Sequence, residues 1–294
     1  MENGPWAWLD GQFVPAEDAR ISPFDRAFLF GHAAYEVTAM YGGKLVDWPG
    51  HGERLVRTLA GIDIPLPMEI GALEALHLDL AARNTMAEGL IYLQVSGGAY
   101  GFRDFAGPEQ IMPTVFLFAT PRPLVGATAR DGIAAITLDD TRWKRRDYKT
   151  TQLLSQALAY RKARETGAGT AFMVEDGLVT EAASANAWIV GADGRLFTRA
   201  LSPAILPGIT RARALSLLAG EGLSIEERAF SPEDVHAAAE AFTTSAGAII
   251  APVTALDGIS IGNGKPGPVT RTVQRLYYQH MGANLAAVAP WALP

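Results

Sequence analysis

The stretch Asp140-Thr-Arg-Trp-Lys-Arg-Arg-Asp-Tyr-Lys149-Thr-Thr151 links an apolar, strand-like run, Gly132 to Leu138, to a run of good helix formers, Thr150 to Glu165. It holds five basic residues, and the last, Lys149, stands just before Thr150-Thr151, an acceptable helix N-cap pair. Such a cluster reads in the first instance as a solvated basic loop. Like charges also disfavour the charged form of an amine, and a neutral lysine at a strand-to-helix junction can act as a Schiff-base nucleophile. Both readings stand until the flanking elements are considered.

Upstream, Trp6-Ala-Trp-Leu and Gln12-Phe-Val flank Asp10-Gly11 as a small hairpin, and Phe28 to Tyr41 runs as a long strand into the Gly42-Gly43 turn. Helical spacing marks His51 to Leu59 and Met68 to Met86, where Leu73, Leu76, Leu78 and Leu80 form an apolar stripe. Leu90 to Val95 and Val115 to Ala119 are strands around a long, glycine-rich loop, Ser96 to Pro113, large enough to be functional. Thr120-Pro-Arg-Pro punctuates the chain as a linker. Downstream come short strands at 170–174, 178–180, 186–190 and 196–198, then a helix from Ile209. A strand at Leu223, a helix opening at Ser231-Pro232, strands around Phe242 and Ile249 to Leu256, and a helix from Val269 to Met281 complete the order. Without a regular βα alternation, this mixture predicts an α+β chain in two lobes. The expected division is 1–120, a linker at 121–130, and 131–294.

The 294 residues can bury a sizeable core, and 49% apolar with 19% charged residues is an ordinary globular composition. A net charge of −6 argues against a nucleic-acid partner, which needs a basic face. The absence of cysteine excludes disulfides, thiolate metal sites and cysteine nucleophiles, and fits a cytoplasmic protein. Met1 to Pro5 does not read as a signal peptide, and no segment has the length of a membrane span. The five histidines lack metal-ligand spacing, so no metal is expected. Gly262-Asn-Gly264-Lys-Pro-Gly267 fits a dinucleotide fingerprint, but it sits near the C-terminus with no room for a following strand, and reads as a loop.

Two other segments point to an anion. Pro207-Gly208-Ile209-Thr210-Arg211 opens a helix with a glycine and a hydroxyl, which suits a phosphate monoester or is an ordinary helix start. Thr243-Thr244-Ser245-Ala246-Gly247 is either an anion nest or a turn. Thr180-Glu181-Ala-Ala-Ser-Ala-Asn186 sets a carboxylate among small residues.

Together these segments resemble the class IV, fold type IV aminotransferases that use pyridoxal 5′-phosphate. The motif runs through Glu181, Ala183, Asn186, Leu196-Phe197-Thr198 and Leu206-Pro207-Gly208-Ile209-Thr210-Arg211, with Trp188 where the family usually has Phe or Tyr. The likeness extends from Trp8 to beyond Pro252. Within the family it is to D-amino-acid transaminases, through Asp140 to Lys149, Phe30-Gly31, Tyr35-Glu36-Val37 and His51-x-x-Arg54-Leu55. The resemblance implies a smaller N-terminal lobe, a C-terminal lobe with a barrel-like sheet, the cofactor between them, and a homodimer. It implies Lys149 as the Schiff-base lysine and proton shuttle, and Glu181 against the pyridine nitrogen. Arg54, Ile209, Thr210, Ser245 and Ala246 would hold the phosphate, Ala246 through its backbone. Tyr35 and Arg103 would meet the substrate. Arg103 matches only with a one-residue insertion, and Phe105 replaces the family's histidine. The expected reaction moves an amino group between a D-amino acid and a 2-oxo acid by way of pyridoxamine phosphate. The alternatives are an (R)-selective amine transaminase, a branched-chain L-amino-acid transaminase, an aminodeoxychorismate lyase, and a cofactor-free binding protein on the same scaffold.

Overall fold

The computed structural model describes residues 5–293; Met1 to Gly4, part of the stretch read as lacking a leader, and Pro294 lie outside the described residues. The chain divides into two compact units, Met1–Pro123 with Tyr148–Gln152, and Leu124–Asp147 with Leu153–Pro294.

The first unit is built on an antiparallel sheet of β1 (Trp6–Leu9), β2 (Gln12–Pro15), β3 (Ala33–Tyr41), β4 (Lys44–Leu45), β5 (Gly89–Ser96) and β6 (Thr114–Pro121), in the order β2-β1-β6-β5-β3-β4. Its helices are α1 (Arg26–Phe30), α2 (Trp48–Gly61) and α3 (Ile70–Arg83). The two-residue side-chain period of β5 sends Ile91, Leu93 and Val95 to one face. There they join Leu55 and Leu59 of α2 and Leu73 and Leu80 of α3 in one apolar cluster. At Asp10-Gly11 both residues have positive φ (44° and 97°), as a two-residue hairpin with right-handed strand twist requires.

Two expectations change here. The run read as one strand from Phe28 begins instead with α1. Asp25 accepts the Ala27 N–H as N-cap, and Gly31, at φ 65°, closes the helix in the left-handed conformation, so local capping overrides the apolar run. Leu78 is exposed, and His77 takes the buried position in α3.

His77 is 0% exposed, packs against Trp48 with the rings tilted and 4.5 Å between centroids, and donates from Nδ1 to the Leu73 carbonyl at 2.7 Å. Burial pushes its imidazole down from 6.5 to about 4. The folded state therefore binds fewer protons than the unfolded state between those values. The contribution is complete above pH 6.5 and is lost as pH falls toward 4, roughly 3 kcal/mol in all. Urea midpoints measured from pH 8 to 4.5 are expected to fall less steeply in His77→Met than in the wild type. Equal slopes would show that His77 carries no such penalty.

The second unit holds a mixed sheet of β7 (Ile133–Asp139), β8 (Thr170–Glu175), β9 (Leu178–Ala182), β10 (Asn186–Val190), β11 (Leu196–Thr198), β12 (Ile225–Glu227), β13 (Glu240–Ser245), β14 (Ile249–Leu256) and β15 (Ile259–Ser260). The order is β12-β11-β10-β13-β14-β7-β8-β9, with β15 paired to β14, and the sheet curls as a half-barrel. Helices α4 (Ala127–Asp131), α5 (Leu154–Glu165), α6 (Ile209–Leu218), α7 (Pro232–Ala237), α8 (Pro268–His280) and α9 (Leu285–Val288) accompany it. Phe172, Val179, Ile189, Val253 and Leu256 form the buried cluster on one face. The strand read at Leu223 begins at Ile225.

The helix expected from Thr150 starts only at Leu154. Thr150 pairs instead with Ala34, Tyr35 N–H donates to the Lys149 carbonyl at 2.9 Å, and Thr151 N–H to the Ala33 carbonyl at 3.0 Å. β-Branched threonines favour this extended pairing, so Lys149 lies on a short strand-like segment beside β3. Among the described residues no helix is long and apolar enough to cross a membrane.

Candidate active site

In the first unit the site residues come from β3, from α2 and from the segment beside β3. Positions 51, 54, 55, 58 and 59 share the buried face of α2, so one face delivers both core leucines and polar groups. Glu36 of β3 is 1% exposed and receives Arg54 as a fork, Nε to Oε1 at 2.8 Å and Nη2 to Oε2 at 2.7 Å. His51 Nδ1 donates to Oε2 at 2.7 Å. Burial acts to raise the Glu36 carboxyl, but the charge and hydrogen bonds of Arg54, with His51, hold it well below the usual carboxylate range. Burial also lowers the His51 imidazole against the pull of Glu36, and the charges of Arg54 and Lys149 act in the same direction.

Lys149 is tied by its backbone to Tyr35, as above, and its N–H donates to Thr58 Oγ1 at 3.3 Å. Its Nζ lies 4.2 Å from the centroid of the Tyr35 ring. The structure thus brings Lys149, Tyr35 and the His51–Arg54 face into one unit. Arg103, on the loop between β5 and β6, places its guanidinium over Phe30 (5.2 Å) and Phe105 (4.4 Å). Arg26 grips that loop from α1, donating to the carbonyls of Asp104 (2.8 Å) and Phe105 (2.9 Å) and to His32 Nδ1 (3.0 Å).

In the second unit Glu181, on β9, is 4% exposed. Its Oε2 accepts Asn186 Nδ2 at 3.0 Å and the Leu206 N–H at 3.2 Å, and its Oε1 accepts Arg142 Nη1. Burial raises its carboxyl, opposed by the charge and hydrogen bond of Arg142 and by the Leu206 N–H. Asn186 Nδ2 also donates to the Leu206 carbonyl at 2.9 Å, so one amide joins Glu181 to the approach of α6. Gly208 caps that helix without a side-chain hydrogen bond. A Cβ there would lie 2.0 Å from Asn186 Oδ1, which explains the glycine. The first-turn N–H groups of α6, at Ile209 and Thr210, offer the positive end of a helix to an anion.

The turn after β13 is strained. Ile249 is β-branched and buried, yet has φ 55°, and Ser245 Oγ accepts the Ala248 N–H at 3.2 Å. A conformation costing about 1–3 kcal/mol persists where the surroundings impose it, often at ligand clamps. Trp188 is fully buried, stacks on Phe242, and donates its indole N–H to Thr244 Oγ1 at 3.1 Å, so the larger ring is accommodated with its polar atom satisfied.

The basic stretch is neutralised by acids of its own unit. Arg142 pairs with Asp140 and Glu181, Lys144 and Arg146 with Glu175, and Arg145 with Asp147. From the sequence, Glu36 stood only as part of a matched motif, Arg142 only as electrostatic setting for Lys149, and Arg26 was not singled out. A carboxylate on the buried face of a strand, 15 residues ahead of a His-x-x-Arg helix face, was the available signal for Glu36.

Residues 33–256 match the amino-transferase class IV family. The chain belongs to the class IV amino-transferases. Relatives named D-alanine aminotransferase include one from Bacillus licheniformis, 35% identical over 90% of this chain and 93% of its own length. Another, from Listeria innocua serovar 6a, is 32% identical over 93% of this chain and 95% of its own. Among solved structures, a branched-chain amino acid aminotransferase of Escherichia coli aligns with a TM-score of 0.86 and 26% identity, covering 94% of each chain. As a class IV amino-transferase the protein is a pyridoxal 5′-phosphate enzyme. Its own residues fit that group: a buried carboxylate set by three donors, an uncapped helix start cleared by Gly208, and a lysine on a fixed backbone.

Proposed function

We propose that this amino-transferase exchanges an amino group between a D-amino acid and a 2-oxo acid. The supporting observation is that relatives named D-alanine aminotransferase match nine-tenths of the chain at about one-third identity, while Lys149 lies against Tyr35 on β3. Pyridoxal 5′-phosphate, when bound, supplies the electron sink for this chemistry. Lys149 Nζ is the amine that anchors it and the base that removes the substrate Cα proton. Glu181 holds negative charge for the ring nitrogen. Arg54, the backbone of Ile209 and Ala246, and the hydroxyls of Thr210 and Ser245 bind the phosphate. Tyr35 orients the substrate, and Arg103 binds its carboxylate, for which a guanidinium fork is the matching donor.

Phe105, packed against Phe30 with ring centroids 5.1 Å apart, adds apolar surface beside Arg103 and favours an (R)-amine as the second reading. The holoenzyme, mixed separately with D-alanine, L-leucine and (R)-1-phenylethylamine, is expected to lose its lysine-bound cofactor absorbance with D-alanine. Loss with L-leucine alone contradicts the proposal, and loss with the amine alone favours the second reading.

The exposed Phe24, Phe28, Phe102, Phe105 and Met112 of the first unit support a homodimer, which sedimentation tests against a monomer. A cysteine-free chain suits the reducing cytoplasm; fractionation with Glu181-intact enzyme in a secreted pool would contradict that location.

A further inference from the structure

We infer that Arg142 is a positioning residue for Glu181, clamping one carboxylate oxygen and keeping the group anionic toward the cofactor's ring nitrogen. The inference rests on the assignment of Glu181 to that nitrogen under Proposed function. Arg142 has little freedom to do anything else. Asp140 receives it as a fork, Nε to Oδ1 at 2.9 Å and Nη2 to Oδ2 at 2.7 Å, which leaves Nη1 directed at Glu181 Oε1. Thr180 Oγ1 accepts from Nη2 at 3.3 Å and donates to Asp140 Oδ2 at 2.6 Å, bracing the fork from β9. The Arg142, Asp140 and Glu181 side chains are 5%, 0% and 5% exposed.

Charge bookkeeping identifies the group at risk. Asp140 and Glu181 are balanced by Arg142 and in part by Arg146, whose Nε lies 3.4 Å from Asp140 Oδ2 while its Nη1 and Nη2 serve Glu175. Without Arg142, two buried carboxylates are left with one cation that Glu175 also engages, and one of them takes a proton. Asp140 would keep Arg146 and the Thr180 hydroxyl, whereas Glu181 would keep only the neutral donors Asn186 and Leu206 N–H. Glu181 is therefore the one neutralised. A neutral carboxyl cannot balance a protonated ring nitrogen, so the electron sink weakens although no group touching substrate has changed. The fork also explains why lysine is a poor substitute: one ammonium cannot serve Asp140 along an edge and Glu181 beyond it.

The test uses holoenzyme loaded with cofactor labelled with 15N in the ring, and 13C-carboxyl glutamate with the Glu181 signal assigned by Glu181→Gln. At pH 7.5 the wild type is expected to show a protonated ring nitrogen and an anionic Glu181. Arg142→Met is expected to show a neutral ring nitrogen and a protonated Glu181, with kcat for D-alanine at least tenfold lower and KM within about threefold. Asp140→Asn shifts the balance the other way, concentrating the Arg142 charge on Glu181, so the Glu181 carboxyl should titrate at lower pH than in the wild type. This second variant decides the matter if Arg142→Met does not fold. An anionic Glu181 in Arg142→Met, or an unmoved titration in Asp140→Asn, overturns the inference. A neutral ring nitrogen in the wild type would instead overturn the Glu181 assignment, and the carboxyl titrations would still decide the clamp.

Discussion

Lys149→Ala is expected to lose transamination of D-alanine by roughly 10⁴-fold, the upper range for a positioned base, because one side chain both anchors the cofactor and moves the proton. The loss should fall on kcat, since Tyr35 and Arg103 remain to bind substrate. Lys149→Arg should be equally poor: it retains charge and length, but a guanidinium has no neutral amine near neutral pH. Backbone bonds, from Tyr35 N–H to the Lys149 carbonyl and from Lys149 N–H to Thr58, hold the segment independently of the side chain, so both variants should fold. Steady-state rates with a 2-oxo acid acceptor, alongside circular dichroism, check this. A folded Lys149→Ala enzyme within tenfold of wild type would refute the role.

The second large effect is on stability. Glu36→Gln leaves Arg54 buried opposite a neutral amide whose NH₂ group faces N–H donors from Arg54 and His51. Removing one partner of a buried pair costs about 3–5 kcal/mol, because the other charge remains without compensation. Urea unfolding at pH 8 should show the midpoint falling with an unchanged slope. Replacing both partners with apolar residues, Glu36→Leu with Arg54→Met, should recover much of that loss yet leave cofactor affinity weakened. Stability and phosphate binding would thereby separate. A Glu36→Gln cost below about 1 kcal/mol would mean that the pair behaves like a surface bridge. The folded carboxyl is depressed, so its contribution is complete above the ordinary carboxylate range and is lost progressively as pH falls below that range toward the folded value.

What could be read in the sequence follows from the distances over which each feature is specified. The Asp10-Gly11 hairpin is local, and both its residues adopt positive φ. The spacing of Glu181, Asn186 and Gly208 is a fixed motif, and the structure supplies its reason: one asparagine amide bonds Glu181 and the Leu206 carbonyl, and its oxygen excludes a Cβ at position 208. The contacts of Arg142 and Arg26 were illegible because they close across 39 and 78 residues, and no local period encodes such pairings. Helix α1 was missed for the opposite reason. At five residues it is too short to show a helical period, and only its caps, Asp25 and Gly31, announced it. The start of α5 moved because Thr150 and Thr151 used their backbones to pair with β3, a tertiary contact that outweighed an acceptable N-cap.

Lys149, and no other lysine, is expected to carry the cofactor. Borohydride reduction of the holoenzyme followed by peptide mass mapping tests it directly. The label is expected on the peptide containing Lys149, whereas a label on Lys44, Lys144, Lys162 or Lys265 would contradict the account.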